Sequence, residues 1–230
     1  MGKIDAYLLR EAWGVLKSQL HENGFCLRRG DSFECLESLI RGSQKPALTE
    51  HFRTDANTYF PDQAFWIAVE TFSGELVARV ATRVDDLGSQ SLLEYWRRYW
   101  KRCYPGATGG RAEIAENQPR FAAEIHGRIA YLGDLYVESK FRNKGVATAL
   151  VKVAQIDAAD EWNPDYVYGW MTPADVGSNL FPAYGFTSVH SAGIRWSVPP
   201  GTISDNLVFV GNSRSSLIDL IEDITISRPV

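Results

Sequence analysis

The apolar positions change their period along the chain, and each change marks an element. Leu8, Leu9, Ala12, Trp13, Leu16 and Leu20 fall near helical spacing and predict an amphipathic helix over residues 5–20, which Gly24 stops. Phe25-Cys26-Leu27-Arg28 follows as a short strand. A second helix carries Phe33, Leu36, Leu39 and Ile40, with Asp31 or Ser32 as its cap and Gly42 just past its end. Residues 48–59 are expected to form a further, less regular helix. The pattern then turns β-like: dense runs at 64–70 and 76–82 flank Ser73-Gly74 and predict an antiparallel hairpin. Residues 91–104 return to a helical period, with Leu92, Leu93, Trp96 and Trp100 roughly on one face, until Pro105. A strand is predicted over 128–137, with Gly133 marking a bulge or a close backbone approach. A strong helix follows at 145–159, with Val146, Leu150, Val153 and Ala154 as its apolar stripe. The remainder reads as a strand at 166–171, a short helix within 173–184, strand-like runs at 186–197 and 207–210, and a closing helix at 214–223.

This order predicts an α/β (α+β) fold: one mixed, mostly antiparallel central sheet flanked by helices. The whole of 1–230 reads as a single domain, with its core at 25–211 and an N-terminal helix within 1–22. The connection at 85–127 is unusually long for a link within a sheet and reads as a lid or a helical insertion. Hydrophobic residues make up 45% and charged residues 23%, enough for a core and against wholesale disorder. The formal net charge is -4 and the basic residues are scattered, so a nucleic-acid partner is not expected. Cys26, Cys35 and Cys103 have no C-x-x-C spacing, which argues against a disulfide framework or a zinc site. His21, His51, His126 and His190 form no H-x-x-x-H pair, so no metal is expected. No signal-peptide pattern or membrane-length apolar run is present, and Ala6 breaks the myristoylation pattern; the expectation is a cytoplasmic protein with no membrane partner.

One segment carries chemistry. The strand at 128–137 runs into Arg142-x-x-Gly145-x-Ala147, which opens the helix at 145–159. A helix N-terminus has unpaired N–H groups and a partial positive charge, a natural cradle for a diphosphate. Gly145 lets the backbone approach the phosphate oxygens, Ala147 keeps a second approach small, and Arg142 and Lys144 add charge. Thr148 adds a hydroxyl in the first turn. The pattern is short and gains meaning from its place between a strand and a helix. No G-x-x-x-x-G-K-[ST] loop and no G-x-G-x-x-G fingerprint competes with it.

The run Leu135 to Leu150, with Arg142-Asn143-Lys144-Gly145-Val146-Ala147 at its centre, resembles the central motif of the GNAT superfamily of N-acetyltransferases. Asn179-Leu180-Phe181-Pro182-Ala183-Tyr184-Gly185-Phe186 resembles that family's second motif, which ends in Gly-Phe. The clear match covers 128–187. The resemblance implies acetyl-CoA as cosubstrate and an amine as acceptor. It implies a pyrophosphate on residues 142–147 and a pantetheine arm along 134–137, where Leu135, Tyr136 and Val137 line the path, in a cleft where that strand splays from 166–171. It also places Asn143, Thr148 and Asn179 among the cofactor contacts, and the N–H near Leu135 as polariser of the thioester carbonyl.

Amide formation needs a deprotonated amine, a polarised carbonyl and a departing thiolate. Asp134, beside the expected thioester, is the candidate base, with Glu70, Asp85 and Asp86 as alternatives. The family's usual proton-donating Tyr falls here on Phe181, which cannot donate; Tyr184 is the candidate acid and Tyr168 the alternative. Trp66, Tyr95, Trp96 and Trp100 either line an acceptor pocket or pack as core. A non-catalytic acyl-CoA sensor of the same fold is the competing reading, and Phe181 favours it. The terminal strands and helix could support a homodimer.

Overall fold

The computed structural model describes residues 2–60 and 62–226; the remaining positions of the expected 1–230 domain lie outside the described residues. Seven strands form the main sheet: β1 Phe25–Gly30, β2 Ala64–Thr71, β3 Leu76–Asp86, β5 Arg128–Val137, β6 Tyr166–Met171, β7 Ser188–His190 and β9 Val208–Ser213. Their spatial order is β1-β2-β3-β5-β6-β9-β7. Every pairing is antiparallel except β5 with β6. A separate two-stranded sheet joins β4 Glu113–Ile114 to β8 Trp196–Val198.

One face of the main sheet is covered by α1 Ala6–Glu22, α5 Val146–Trp162 and α8 Arg214–Ile226. Its core is largely aliphatic, with Leu16, Ile67, Val80, Leu132, Leu150, Val167 and Leu217 buried together. The opposite face carries α2 Phe33–Ile40, the loop to β2, and an insertion that includes α3 Leu92–Arg98 and α4 Phe121–Glu124. That core is aromatic: Trp66, Trp96, Trp100, Tyr168 and Phe209 are all at most 2% exposed. Ser91 starts α3 with a full capping box to Glu94, so the insertion begins on a helix with satisfied amides.

Three expectations change. Residues 48–59 form turns instead of a helix: the Arg53 guanidinium bonds Asp55, and the Asn57 side chain donates to the Glu50 and Arg53 carbonyls. Such local side-chain bonds compete with helix formation. The helix at 91–104 stops at Arg98 and tightens to a 3₁₀ turn over Trp100–Cys103. The long run at 186–197 divides between the main sheet and the small one, because its middle follows β7 and then leaves to meet β4. No helix among the described residues is long and apolar enough to cross a membrane.

Candidate active site

The site follows from a break in strand pairing. β5 and β6 pair from Ile129↔Tyr166 to Leu132↔Gly169 and no further. Beyond that point β5 continues to Val137 with its β6-facing edge free. On its other side the β3 register slips between Arg79 and Ala81, opposite Gly133 to Tyr136. This is a β-bulge, which bends the strand and strengthens its twist. The parallel strands therefore diverge and open a cleft of about 620 Å³ that reaches both faces of the sheet.

Asp134, the expected base, makes the bulge. Its φ is +52, a left-handed conformation uncommon for a residue with a side chain. Its carboxylate is fully buried and pairs with the equally buried Arg79, Nε to Oδ2 at 2.7 Å. Oδ1 accepts the Thr49 N–H at 3.1 Å and faces Lys45 Nζ at 3.6 Å. Buried pairing of this kind gives the carboxylate a structural role at the bulge, and Asp134 still lines the cleft. Arg79 also donates to the Ala47 carbonyl at 3.2 Å, so the pair ties the loop after α2 to the bulge. The alternative bases are engaged as well: Asp85 with Arg83, Asp86 with Arg128 and Glu70 with Arg28, and none of them lines the cleft.

The phosphate end is built from main chain. Asn143 and Gly145 have φ of +62 and +73, whereas Lys144 between them does not. Alternating handedness of this kind turns successive N–H groups toward one concavity. Gly145 is the N-cap of α5, and no side chain caps that helix. Among the described residues the N–H groups of 143–148 have no protein acceptor. A Cβ built on Gly145 meets nothing within 4 Å, so the space over that residue is open. Arg142, Asn143, Gly145, Val146, Ala147 and Thr148 all line the cleft. Arg142 folds back so that Nε donates to the Val137 carbonyl at 3.2 Å. Free amides, an uncapped helix start and open space suit an anionic group such as a diphosphate.

Other expected residues divide. Leu135, Tyr136 and Val137 line the cleft along the free edge of β5. Tyr136 is anchored by a hydroxyl bond to Gln44 Oε1 at 3.2 Å. Lys144 is exposed on the same loop, over the Phe141 ring, and does not line the cleft. Asn179 is exposed, does not line the cleft, and supplies the positive φ that starts α7 Leu180–Ala183 after α6 Pro173–Gly177. Tyr184 does line the cleft and is 8% exposed. Burial, and then the Asp175 carboxylate, raises its hydroxyl above the ordinary phenol range. Its position is fixed from behind: buried Gln155 on α5 donates to the Tyr184 carbonyl at 2.8 Å, and buried Asn212 on β9 donates to Gln155 and to the Gly185 carbonyl. Phe181 packs against the α5-side core away from the cleft. Tyr168 lies wholly buried in the other core, so it is no donor to a ligand. Trp66, Tyr95, Trp96 and Trp100 are core as well, and none lines the cleft.

Among the cleft residues that the sequence reading did not place at the site are Glu50, His51, Tyr104 and Tyr131. They come from a loop, the insertion and β5. No local spacing links them. The nearest signal is Gly133, because a Cβ there would meet the Tyr131 hydroxyl at 2.6 Å.

A sequence model described as the Acetyltransferase (GNAT) family matches residues 34–186, which contain the bulge, the amide cradle and Tyr184. The chain belongs to the GNAT acetyltransferase family. Among solved structures, similarity extends to Arabidopsis thaliana NAA60 in complex with acetyl-CoA, at 13% identity, TM-score 0.49, and coverage of 82% of this chain and 98% of that one. It extends also to the Escherichia coli GNAT protein YhbS in complex with CoA, at 16% identity, TM-score 0.45 and coverage of 84% of both chains. Among curated proteins no sequence matches significantly. The family match stops at residue 186, so β9 and α8 of this GNAT chain lie beyond it, although Asn212 on β9 holds the Tyr184 turn.

Proposed function

We propose that this GNAT chain transfers the acetyl group of acetyl-CoA to a primary amine by direct attack while both substrates are bound. The observation that carries the reading is the set of unpartnered main-chain amides at 143–148, opening on the cleft where β5 leaves β6. These amides would take the diphosphate. The free edge of Leu135 to Val137 would bond the pantetheine arm in place of the missing strand. A backbone N–H near Leu135 would then polarise the thioester carbonyl as charge develops on its oxygen.

The reaction needs a neutral amine, because an alkylammonium has no lone pair. The amine nitrogen forms the C–N bond and loses its proton, the C–S bond breaks, and the thiolate leaves with the electron pair. Tyr184 is the side chain on the α5 wall with a hydroxyl that can give that sulfur a proton. With Asp134 engaged by Arg79, deprotonation falls to solvent or to groups on the opposite wall. Alignment of amine and thioester in one cleft supplies much of the rate.

The test is thiol release from acetyl-CoA across a panel of amines. Release that depends on the amine supports transfer. Tight CoA binding without release on any amine makes the chain an acyl-CoA-binding module of the same fold, and no binding at all removes the reading.

A further inference from the structure

The cleft wall opposite α5 carries chemistry that the diphosphate end does not use. Glu50, His51, Tyr104 and Tyr131 line it, with Trp170, Ile203 and Leu207 beside them. The Glu50 side chain is half-buried and has no ion pair or hydrogen bond among the described residues. Carboxylates nearby are satisfied: Asp134 by Arg79, Asp85 by Arg83, and Glu138 by the Gln44 N–H. The lysine on this wall, Lys45, faces Asp134. A carboxylate left without a bonded counter-charge on a cleft wall points to a cation that arrives with a ligand.

The groups around Glu50 suit such a cation. Burial raises the Tyr104 and Tyr131 hydroxyls most; next, Tyr131 acts on Tyr104 and Asp134 on Tyr131, and the charge of Glu50 adds to both. The carboxylate therefore lies within electrostatic reach of two phenols that stay neutral. His51 is 2% exposed, and its Nε2 has no protein partner. Its ring stacks on Trp100 with centroids 3.3 Å apart, and Tyr104 and Tyr131 meet it edge-on. Burial, and then the charge of Arg83, holds the imidazole well below its usual range, so it is a neutral acceptor. Aromatic rings, a neutral imidazole and one open carboxylate suit an ammonium group.

We propose that Glu50 selects the acceptor, holding the ammonium group of a cationic primary amine in a pocket formed with Tyr104 and Tyr131. The inference rests on the acetyl-transfer reading. It makes Glu50 a specificity-determining residue that forms no covalent bond and releases the amine for attack once the nitrogen has lost its proton. The Tyr131 hydroxyl over Gly133 places this pocket at the start of the splay.

The test uses the CoA-loaded protein and two probes of like size, 4-fluorobenzylamine and 4-fluorobenzyl alcohol, titrated by fluorine NMR. A charge-assisted contact predicts that the amine binds at least about tenfold tighter than the alcohol. Glu50→Gln should erase that preference and leave CoA affinity by calorimetry unchanged. Equal binding of the two probes by the unsubstituted protein, binding of neither, or a preference that survives Glu50→Gln overturns the proposal. Absence of CoA binding by the unsubstituted protein overturns the transfer reading instead. The comparison of probes in the unsubstituted protein decides the question even if the variant does not fold.

Discussion

The two faces of the sheet present different groups to the cleft. On the α5 face these are main chain: amides at 143–148 and the free edge of β5. On the opposite face they are side chains brought together from residues 50, 51, 104 and 131. The first arrangement demands particular backbone shapes within a few consecutive residues, so it leaves a local pattern of Gly, Ala and basic positions. The second demands only that distant side chains converge, and it leaves no local pattern. The Arg79–Asp134 pair stands between them, pinning the bulge that opens the cleft to both faces.

The largest expected effect breaks that pin. Asp134→Ala leaves Arg79 buried without its counter-charge and should lower stability by about 3–5 kcal/mol, read by urea unfolding. A variant that kept its stability but lost turnover would restore Asp134 as a base. Next is Gly145→Val, where a β-branched residue must adopt a φ of +73 and place its side chain over the amide cradle. Calorimetry should show CoA binding weakened by about tenfold or more, while the aromatic face keeps its tryptophan emission. Unchanged affinity would remove the diphosphate from that turn.

The α5 face also carries a pH dependence. Asp157 is pushed up from the ordinary 3.8 to about 6, first by burial, against the pull of Arg29. The folded state therefore holds that proton more tightly than the unfolded chain. The stability this gives is fully present below about 4 and is lost as pH rises through about 6. Asp157→Asn should shrink the difference in unfolding free energy between pH 4.5 and pH 8 by about 2 kcal/mol. An identical pH profile in the variant would show that Arg29 cancels the cost of burial. The smallest effect is at Tyr184. Its replacement by Phe should slow thiol release by up to about tenfold with little change in CoA affinity, since a thiolate can leave unassisted. No change in rate would take Tyr184 out of the reaction.

How much was legible follows the same division. The 128–137 strand, the helix after it and the hairpin at 64–86 were readable because their dense apolar runs are buried along most of their length. Gly145 was readable because its conformation and the open space over it are local demands. Asp134 was read only in part: its position beside the expected thioester suggested chemistry, while its partner Arg79 stands 55 residues away and cannot be read from spacing. Residues 48–59 misled because their helical period competes with Arg53–Asp55 and Asn57 bonds that favour turns. Tyr184 was found through the Gly-Phe motif, but the Gln155–Asn212 bonds that fix its turn span three separate elements. Trp66, Tyr95, Trp96 and Trp100 were read as either an acceptor pocket or core; they are core, and the cleft residue within 85–127 is Tyr104.

The claim beneath the whole account is that the exposed amides after β5 bind a diphosphate. The most direct measurement compares CoA with pantetheine, which lacks that group and the nucleotide beyond it, by calorimetry on the unsubstituted protein and on Gly145→Val. CoA should bind the unsubstituted protein at least about a hundredfold tighter, as several charge-assisted hydrogen bonds require, and Gly145→Val should narrow that margin. Equal affinity for the two would mean that residues 143–148 hold no diphosphate, and would contradict the account.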